Sequence, residues 1–168
     1  MTNPRILVAG IGNIFHGDDV FGVEVAHRLM VGHLPDGVEV TDFGIRSYDL
    51  AYAILDDYDA TILVDATSQG GSPGTLYLIK PDLDDLVPSE GSLVDGHSMN
   101  PMTVLQLVKL FGGRPRRLFV VGCEPATLEE SEDGRIGLSE PLQTAVDGAV
   151  EMVESLIKNI RDELAAKG

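Results

Sequence analysis

Short apolar segments alternate along the chain with segments whose apolar residues recur every three or four positions. Runs of four or five apolar or alternating residues, bounded by turn residues, predict strands at 5–9, 38–42, 61–65, 75–79 and 118–121. The three-to-four spacing predicts helices over 20–31, 47–55, 101–111 and 138–166. In the first of these helices, Phe21, Val25 and Leu29 fall on one face.

Residues at the segment boundaries support this order. Ser47 could cap the second helix, and Pro101 suits the first turn of the third. Residues 139–141 (Ser-Glu-Pro) resemble a cap followed by a first-turn proline at the start of the last helix. The acidic, irregular stretch 80–96 is predicted to be a long loop.

Strands that alternate with helices predict an α/β fold: a single three-layer domain over residues 1–168, with a mainly parallel central sheet of about five strands flanked by helices. The buried strands that begin at Arg5, Thr61 and Leu118 should form the centre of the sheet. Alternation over 75–79 predicts an edge strand. In such folds the functional site lies beyond the carboxyl ends of the strands.

The charge of the chain narrows the possible partners. Acidic residues number 27 against 12 basic ones, which gives a formal net charge of −15. This excess argues against nucleic acid and anionic membranes as partners, because both require basic surfaces. The amino terminus has no signal-peptide pattern and no apolar run is long enough to span a membrane, so a cytoplasmic protein is expected. The single cysteine, Cys123, excludes an internal disulfide and a cysteine-cluster metal site.

The turn after the first strand carries both glycines and acidic residues. Gly10 and Gly12 match two-thirds of a dinucleotide-binding fingerprint, but Phe15 stands at the third glycine position. Asp18 and Asp19 would face the phosphates at the start of the helix, which argues against a nucleotide. The simplest alternative is that one of the two acids caps the helix and complements its dipole, which stabilises a helix by ~0.3–1 kcal/mol.

Two further polar residues stand at segment ends. Asp65 ends a predicted buried strand, directly after the apolar residues 62–64, where an unpaired charge is costly and requires a partner. His97 precedes the third helix and could simply have a surface or capping role. If Asp65, His97 and the acids after the first strand meet at one crevice, their oxygen and nitrogen ligands suit a divalent metal such as nickel or zinc. Three protein ligands would leave coordination positions open.

Several segments together resemble one family, the nickel–iron hydrogenase maturation endopeptidases. The matching segments are spread in order over nearly the whole chain: GIGNIFHGDDVFG (10–22), DFGIRSYDL (42–50), ILVDA (62–66), PGTLYLI (73–79), GHSMNPMTVL (96–105) and VGCEPATLE (121–129). Val20 departs from the glycine that is common at its position in the family.

The resemblance implies an enzyme that removes a C-terminal extension from the precursor of a hydrogenase large subunit after nickel has been inserted. It places the family's metal-recognising and catalytic residues at Asp19, Asp65 and His97, with Asp18 as the neighbouring acidic position. Nickel would be supplied by the substrate, and the isolated protein should be a monomer largely empty of metal. The turn 42–44 would form a peptide-binding lip.

Other functions fit the same residues. A small-molecule metallohydrolase would use them on a metal of its own, and a non-catalytic chaperone would sense metal in the precursor without shortening it. Cys123 has no histidine partner in sequence and is expected to be a buried structural thiol. Replacing Asp18 by Ala is expected to have a small effect, mainly the loss of a cap or dipole interaction of ~0.5–2 kcal/mol.

Overall fold

The computed structural model describes residues 3–13, 17–82, 101–126 and 137–167. The elements, in chain order, are β1 (Ile6–Ile11), a single 3₁₀ turn (Gly17–Val20), α1 (Phe21–Met30), β2 (Val38–Gly44), α2 (Ser47–Ile54), β3 (Ala60–Ala66), β4 (Leu76–Ile79), α3 (Pro101–Leu110), β5 (Leu118–Cys123) and α4 (Glu140–Ala166). The predicted loop 80–96 lies almost wholly outside the described residues.

One five-stranded sheet in the order β2-β1-β3-β5-β4 organises the fold. All neighbouring strands run parallel except β4, which pairs antiparallel with β5 at the edge. The predicted mainly parallel sheet, its three central strands and its edge strand are therefore confirmed. No helix in the described parts of the chain is both long and apolar enough to cross a membrane.

Two apolar cores lie on opposite faces of the sheet and make the three predicted layers. On one face, side chains of β1, β3 and β5 such as Val64 and Val121 pack with α1 and α4. On the other face, the alternate positions, such as Leu63 and Val120, pack with α2 and α3. The sheet is thus buried on both faces, which explains why its central strands read as nearly continuous apolar runs.

The close approach of α1 to the sheet depends on glycine. An ideal Cβ on Gly22 would lie 2.0 Å from the carbonyl oxygen of Val64 and 2.4 Å from that of Ile11. A Cβ on Gly10 would lie 2.5 Å from the carbonyl oxygen of Gly22. The first turn of α1 therefore rests directly on the backbone of β1 and β3, at their carboxyl ends.

One local prediction at a helix start is wrong, and another differs by one residue. The helix predicted from residue 20 begins at Phe21, directly after the 3₁₀ turn that passes closely over Gly12. Ser47 is the first residue of α2 rather than its cap, and the capping position, Arg46, makes no side-chain hydrogen bond to the helix. Strands β1 and β5 also extend two residues further than predicted, since their pairing with their neighbours continues to Ile11 and Cys123.

Candidate functional site

Asp65 lies near the carboxyl end of β3, almost fully buried, with 1% of its surface exposed. It follows Leu63 by two positions, so its side chain lies on the face of the sheet that α2 and α3 cover. Its Oδ1 accepts a hydrogen bond of 2.8 Å from the backbone N–H of Ala66. Burial and then the negative charge of Asp19 raise the pKa of Asp65 well above its ordinary value, against the opposing effect of that N–H group.

Asp19 reaches the same edge from the 3₁₀ turn. Its Oδ2 accepts a hydrogen bond of 3.0 Å from the backbone N–H of Asn13, just beyond β1. The turn is pressed against β1 because Gly12 has no side chain: an ideal Cβ there would lie 1.9 Å from the carbonyl oxygen of Asp19. The structure therefore brings Asp19 and Asp65, 46 residues apart in sequence, close enough to interact electrostatically.

The third predicted ligand, His97, lies outside the described residues. The next described residue, Pro101, opens α3 on the face of the sheet where Asp65 lies. Within the described ranges, no group of three or more His, Cys, Asp or Glu side chains is arranged to hold a metal ion. The predicted three-residue site thus stays a prediction, of which two carboxylates are described.

Asp18 has a different role from the one expected of it. It does not cap its own helix, since Val20 occupies the capping position of α1 and makes no side-chain capping bond. Asp18 is instead fully buried and accepts hydrogen bonds from the backbone N–H groups of Ala126 and Ser139 and from the Ser139 hydroxyl. The sequence-based expectation that Asp18→Ala would cost only a cap or dipole interaction is therefore too small, because three hydrogen-bond donors would lose their buried acceptor.

The turn at the end of β2 meets the turn that follows β1. The backbone N–H of Gly12 donates to the carbonyl oxygen of Gly44 at 3.0 Å. Asp42 pairs through its carboxylate with His27 at 2.9 Å, and its carbonyl oxygen accepts a bond of 2.6 Å from Arg46. This turn thus borders the edge where Asp19 lies, as a peptide-binding lip would, and its role in binding stays a prediction.

Sequence reasoning gave no role to Glu124, a nearly buried residue directly after β5. Its carboxylate accepts hydrogen bonds from the backbone N–H groups of Gln69 at 2.6 Å and Gly70 at 2.8 Å. Tyr77 donates a longer bond of 3.4 Å to the same carboxylate. Glu124 therefore fixes the turn after β3. The sequence did contain a signal for Glu124, because this residue, like Asp65, is acidic and stands at the end of a predicted buried strand.

Cys123 is the buried structural thiol that the sequence predicted. Its side chain is fully enclosed in the core shared by α1 and α4. Burial, with the charges of Asp18 and Glu124 as smaller causes, raises the pKa of the thiol to about 11. A thiol this weakly acidic supplies almost no thiolate at neutral pH and is unsuited to act as a nucleophile.

Thr67, just beyond Asp65, offers a stability prediction. Its Oγ1 is buried and has no hydrogen-bond partner among the described residues, and it lies over Gly122, where an ideal Cβ would come within 2.7 Å. Replacing Thr67 by Val keeps the shape and removes an unsatisfied donor, so the free energy of unfolding should stay unchanged or rise by up to about 1 kcal/mol.

Urea unfolding of Thr67→Val measures this effect, with Thr75→Val as the matched control. The Thr75 hydroxyl donates to the carbonyl oxygen of Ser72 at 2.7 Å, so its loss should lower stability by about 0.5–1.5 kcal/mol. A comparable loss in Thr67→Val would show that the Thr67 hydroxyl has a partner.

Comparison with known proteins agrees with this architecture. A family model described as hydrogenase maturation protease matches residues 23–156. The chain is 34% identical over 159 residues to a putative hydrogenase maturation protease of Methanocaldococcus jannaschii, covering 94% of this chain and 99% of that protein. It is 31% identical to the hydrogenase 2 maturation protease of Escherichia coli, covering 92% and 91% of the two chains.

Solved structures show the same likeness in three dimensions. The hydrogenase maturating endopeptidase HybD from Escherichia coli superposes with a TM-score of 0.73 at 26% identity, covering 92% of this chain and 93% of that one. A hydrogenase 2 maturation peptidase from a Thaumarchaeota archaeon gives 0.66 at 30% identity, covering 91% and 97%. By the match of its sequence to the family model and to its relatives, and by its fold, the chain belongs to the hydrogenase maturation protease family and is a peptidase.

Proposed function

We propose that this peptidase removes a C-terminal extension from the nickel-loaded precursor of a nickel–iron hydrogenase large subunit. The observation that carries the proposal is the pairing of the buried Asp65 with the half-buried Asp19 at the carboxyl edge of the sheet. Two neighbouring carboxylates favour the binding of a cation, which in this proposal arrives with the substrate.

Without a cation, this pair is electrostatically unfavourable. Asp65 is removed from water, and the nearby charge of Asp19 further disfavours its ionised form. A divalent ion would reverse both effects, because it attracts the two carboxylates and lets Asp65 release its proton. The site should therefore bind a metal-bearing ligand much better than the same ligand without metal.

Nickel belongs to the substrate in this proposal. Asp19, Asp65 and His97 would supply oxygen and nitrogen ligands, and the coordination positions they leave open suit ligands from the precursor itself. Protease and precursor would then share one ion, which would anchor the precursor's tail beside the scissile bond. Cleavage would proceed by addition of water to the peptide carbonyl, since the buried Cys123 is not available as a nucleophile.

We expect the protein to shorten nickel-loaded precursor and to leave nickel-free precursor intact. Mass spectrometry on matched precursor preparations, before and after incubation, measures the loss of the C-terminal peptide. His97→Ala should abolish the cleavage because it removes the nitrogen ligand. His33→Ala is the matched control, because His33 is exposed in the turn before β2, at the opposite edge of the sheet.

Each alternative function gives a different result in this experiment. Equal cleavage with and without nickel would indicate an ordinary peptidase mechanism and contradict the proposal. Binding of the precursor without any change of mass would indicate a metal-sensing chaperone. Stoichiometric metal in the isolated protein, with no action on the precursor, would indicate a small-molecule metallohydrolase. Full activity of His97→Ala would remove His97 from the site.

A further inference from the structure

The other acidic residue of the turn, Asp18, is fully buried and hydrogen-bonded to residues more than 100 positions away in sequence. We propose that Asp18 is a positioning residue that fastens the 3₁₀ turn to the start of α4 and so holds the carboxylate of Asp19 beside Asp65. The consequence for cleavage rests on the proposed function, whereas the structural link between Asp18 and Asp19 does not.

The contacts of Asp18 join the turn to two positions that are 108 and 121 residues away in sequence. Its Oδ1 accepts from the backbone N–H of Ser139 at 2.7 Å. Its Oδ2 accepts from the Ser139 hydroxyl and from the backbone N–H of Ala126, both at 2.8 Å. Ala126 follows β5 and Ser139 precedes α4, so one carboxylate ties the turn to both ends of the connection between these elements. We refer to Asp18, Ala126 and Ser139 as the clamp.

Ser139 is bound in an unusual way for a residue at the capping position of a helix. Its backbone is extended, as at a normal cap, yet its hydroxyl makes no bond to the N–H groups of α4. The hydroxyl donates to Asp18 instead, which places the acidic group of Asp18 beside the amino terminus of a 27-residue helix. The helix dipole favours a negative charge at that end, so this position stabilises Asp18 where it is buried.

The turn that carries Asp19 requires such an external attachment. It consists of four residues, and a single 3₁₀ turn has too few internal hydrogen bonds to hold its own position. The bond from Asn13 to Asp19 ties the turn to β1 on one side, and the clamp ties it to α4 on the other.

Anchoring Asp18 also directs Asp19. Successive residues of a 3₁₀ turn point about 120° apart, because three residues complete one turn. With Asp18 fixed toward α4 and Ala126, Asp19 must therefore point elsewhere, and it does so toward Asn13 and the edge where Asp65 lies. The two adjacent acids thus have different roles. Asp18 binds the backbone of distant segments, and Asp19 presents its carboxylate at the site.

A pair of isosteric substitutions at Ser139 tests the clamp with little change of shape. Ser139→Thr keeps the hydroxyl that donates to Asp18, and Ser139→Val removes it. Asp18→Asn is the stronger change, since its amide group would face N–H donors. Asp59→Asn is the matched control, because Asp59 also accepts a backbone N–H, from Arg5 at 2.8 Å, but at the amino edge of the sheet.

The first measurement does not depend on the proposed function. Amide hydrogen exchange of Asn13 reports the bond to Asp19, and in Ser139→Val it should be at least about 10-fold faster than in Ser139→Thr. Asp18→Asn should accelerate it further. Asp59→Asn should leave it unchanged at a temperature where every variant is folded. Unchanged Asn13 protection in both Asp18→Asn and Ser139→Val would overturn the proposal.

The second measurement is cleavage of nickel-loaded precursor by the same variants. A displacement of Asp19 by about 1 Å is enough to lower kcat/KM by roughly 10–100-fold. Ser139→Val should therefore show this loss, and Ser139→Thr should keep the activity of the original protein. The kcat/KM of Asp59→Asn should stay within about twofold of that of the original protein, even if this variant melts at a lower temperature. Faster Asn13 exchange with unchanged kcat/KM would overturn the catalytic part. Failure of the unsubstituted protein to cleave would contradict the proposed function alone.

Discussion

Asp65→Asn is expected to abolish cleavage of the precursor and, at neutral pH, to make the protein more stable. Activity should be lost because an amide cannot replace the carboxylate as a metal ligand. Stability should rise because Asn keeps the oxygen that accepts the Ala66 N–H group, while the buried negative charge beside Asp19 disappears. A gain in stability with a loss of function is typical of residues kept for their chemistry rather than for folding.

The pH dependence of stability follows from the direction of the pKa shift. The pKa of Asp65 in the folded protein lies well above the ordinary value of 3.8 that the unfolded chain has. The folded state therefore holds this proton more tightly, and stability is fully present below pH 3.8 and is lost as the pH rises through the folded pKa. Asp65→Asn cannot lose a proton, so its advantage over the original protein should grow across this range.

Thermal melts of the two proteins between pH 4 and pH 8 measure this difference directly. Asp162→Asn is a suitable control, because Asp162 is exposed on α4 at the opposite edge of the sheet and should change neither stability nor cleavage. A melting temperature of Asp65→Asn below that of the original protein at every pH would contradict the account of a destabilising buried charge. Persistent cleavage would remove Asp65 from the catalytic site.

Gly22→Ala is expected to lower the free energy of unfolding by more than about 3 kcal/mol, although alanine is the better helix former. On propensity alone, the substitution inside α1 would stabilise by about 0.8–1 kcal/mol. The added Cβ would instead lie 2.0 Å from the Val64 carbonyl oxygen and 2.4 Å from the Ile11 carbonyl oxygen. Both atoms belong to the backbone of central strands and cannot rotate away, so α1 itself must move.

Denaturant unfolding of Gly22→Ala and Gly32→Ala gives the comparison. Gly32 follows α1 in the turn to β2, and the atom nearest to its ideal Cβ lies at 3.5 Å, an ordinary contact. Gly32→Ala should therefore change stability by less than about 1 kcal/mol. Because the start of α1 also carries the turn with Asp19, any folded fraction of Gly22→Ala should cleave poorly. Equal stability of both variants would show that α1 does not rest on the strands as closely as described.

The local pattern of apolar residues was sufficient to predict the helices and strands, because the spacing of those residues depends on the type of element and on how many of its faces are buried. The segment TILVD could be assigned to a buried central strand since both of its faces are apolar, and the structure places it between β1 and β5. Alternation over 75–79 indicated an edge strand for the opposite reason, since one face is exposed. The rule that sites lie at the carboxyl ends of parallel strands then directed attention to Asp19 and Asp65.

The pattern of apolar and polar residues could not separate the roles of the two adjacent acids, and only the resemblance to the family assigned the site to Asp19. Asp18 and Asp19 have the same chemistry and stand next to each other, so their difference depends on what lies on either side of the turn. Ser139 is 121 residues away from Asp18, and no local signal connects them. The same holds for Glu124, whose partners Gln69 and Gly70 are 55 and 54 residues away.

The sequence by itself therefore determined the α/β class, the order of strands and helices along the chain, and the sheet edge at which the site is expected, because these depend on the period of apolar residues and on general rules of chain connection. Only the tertiary structure decided which partners hold each acid, with Asp18 bonded to Ala126 and Ser139 and Asp19 bonded to Asn13 beside Asp65. That choice depends on hydrogen bonds and on glycine-sized gaps between segments distant in sequence, and such contacts have no period along the chain.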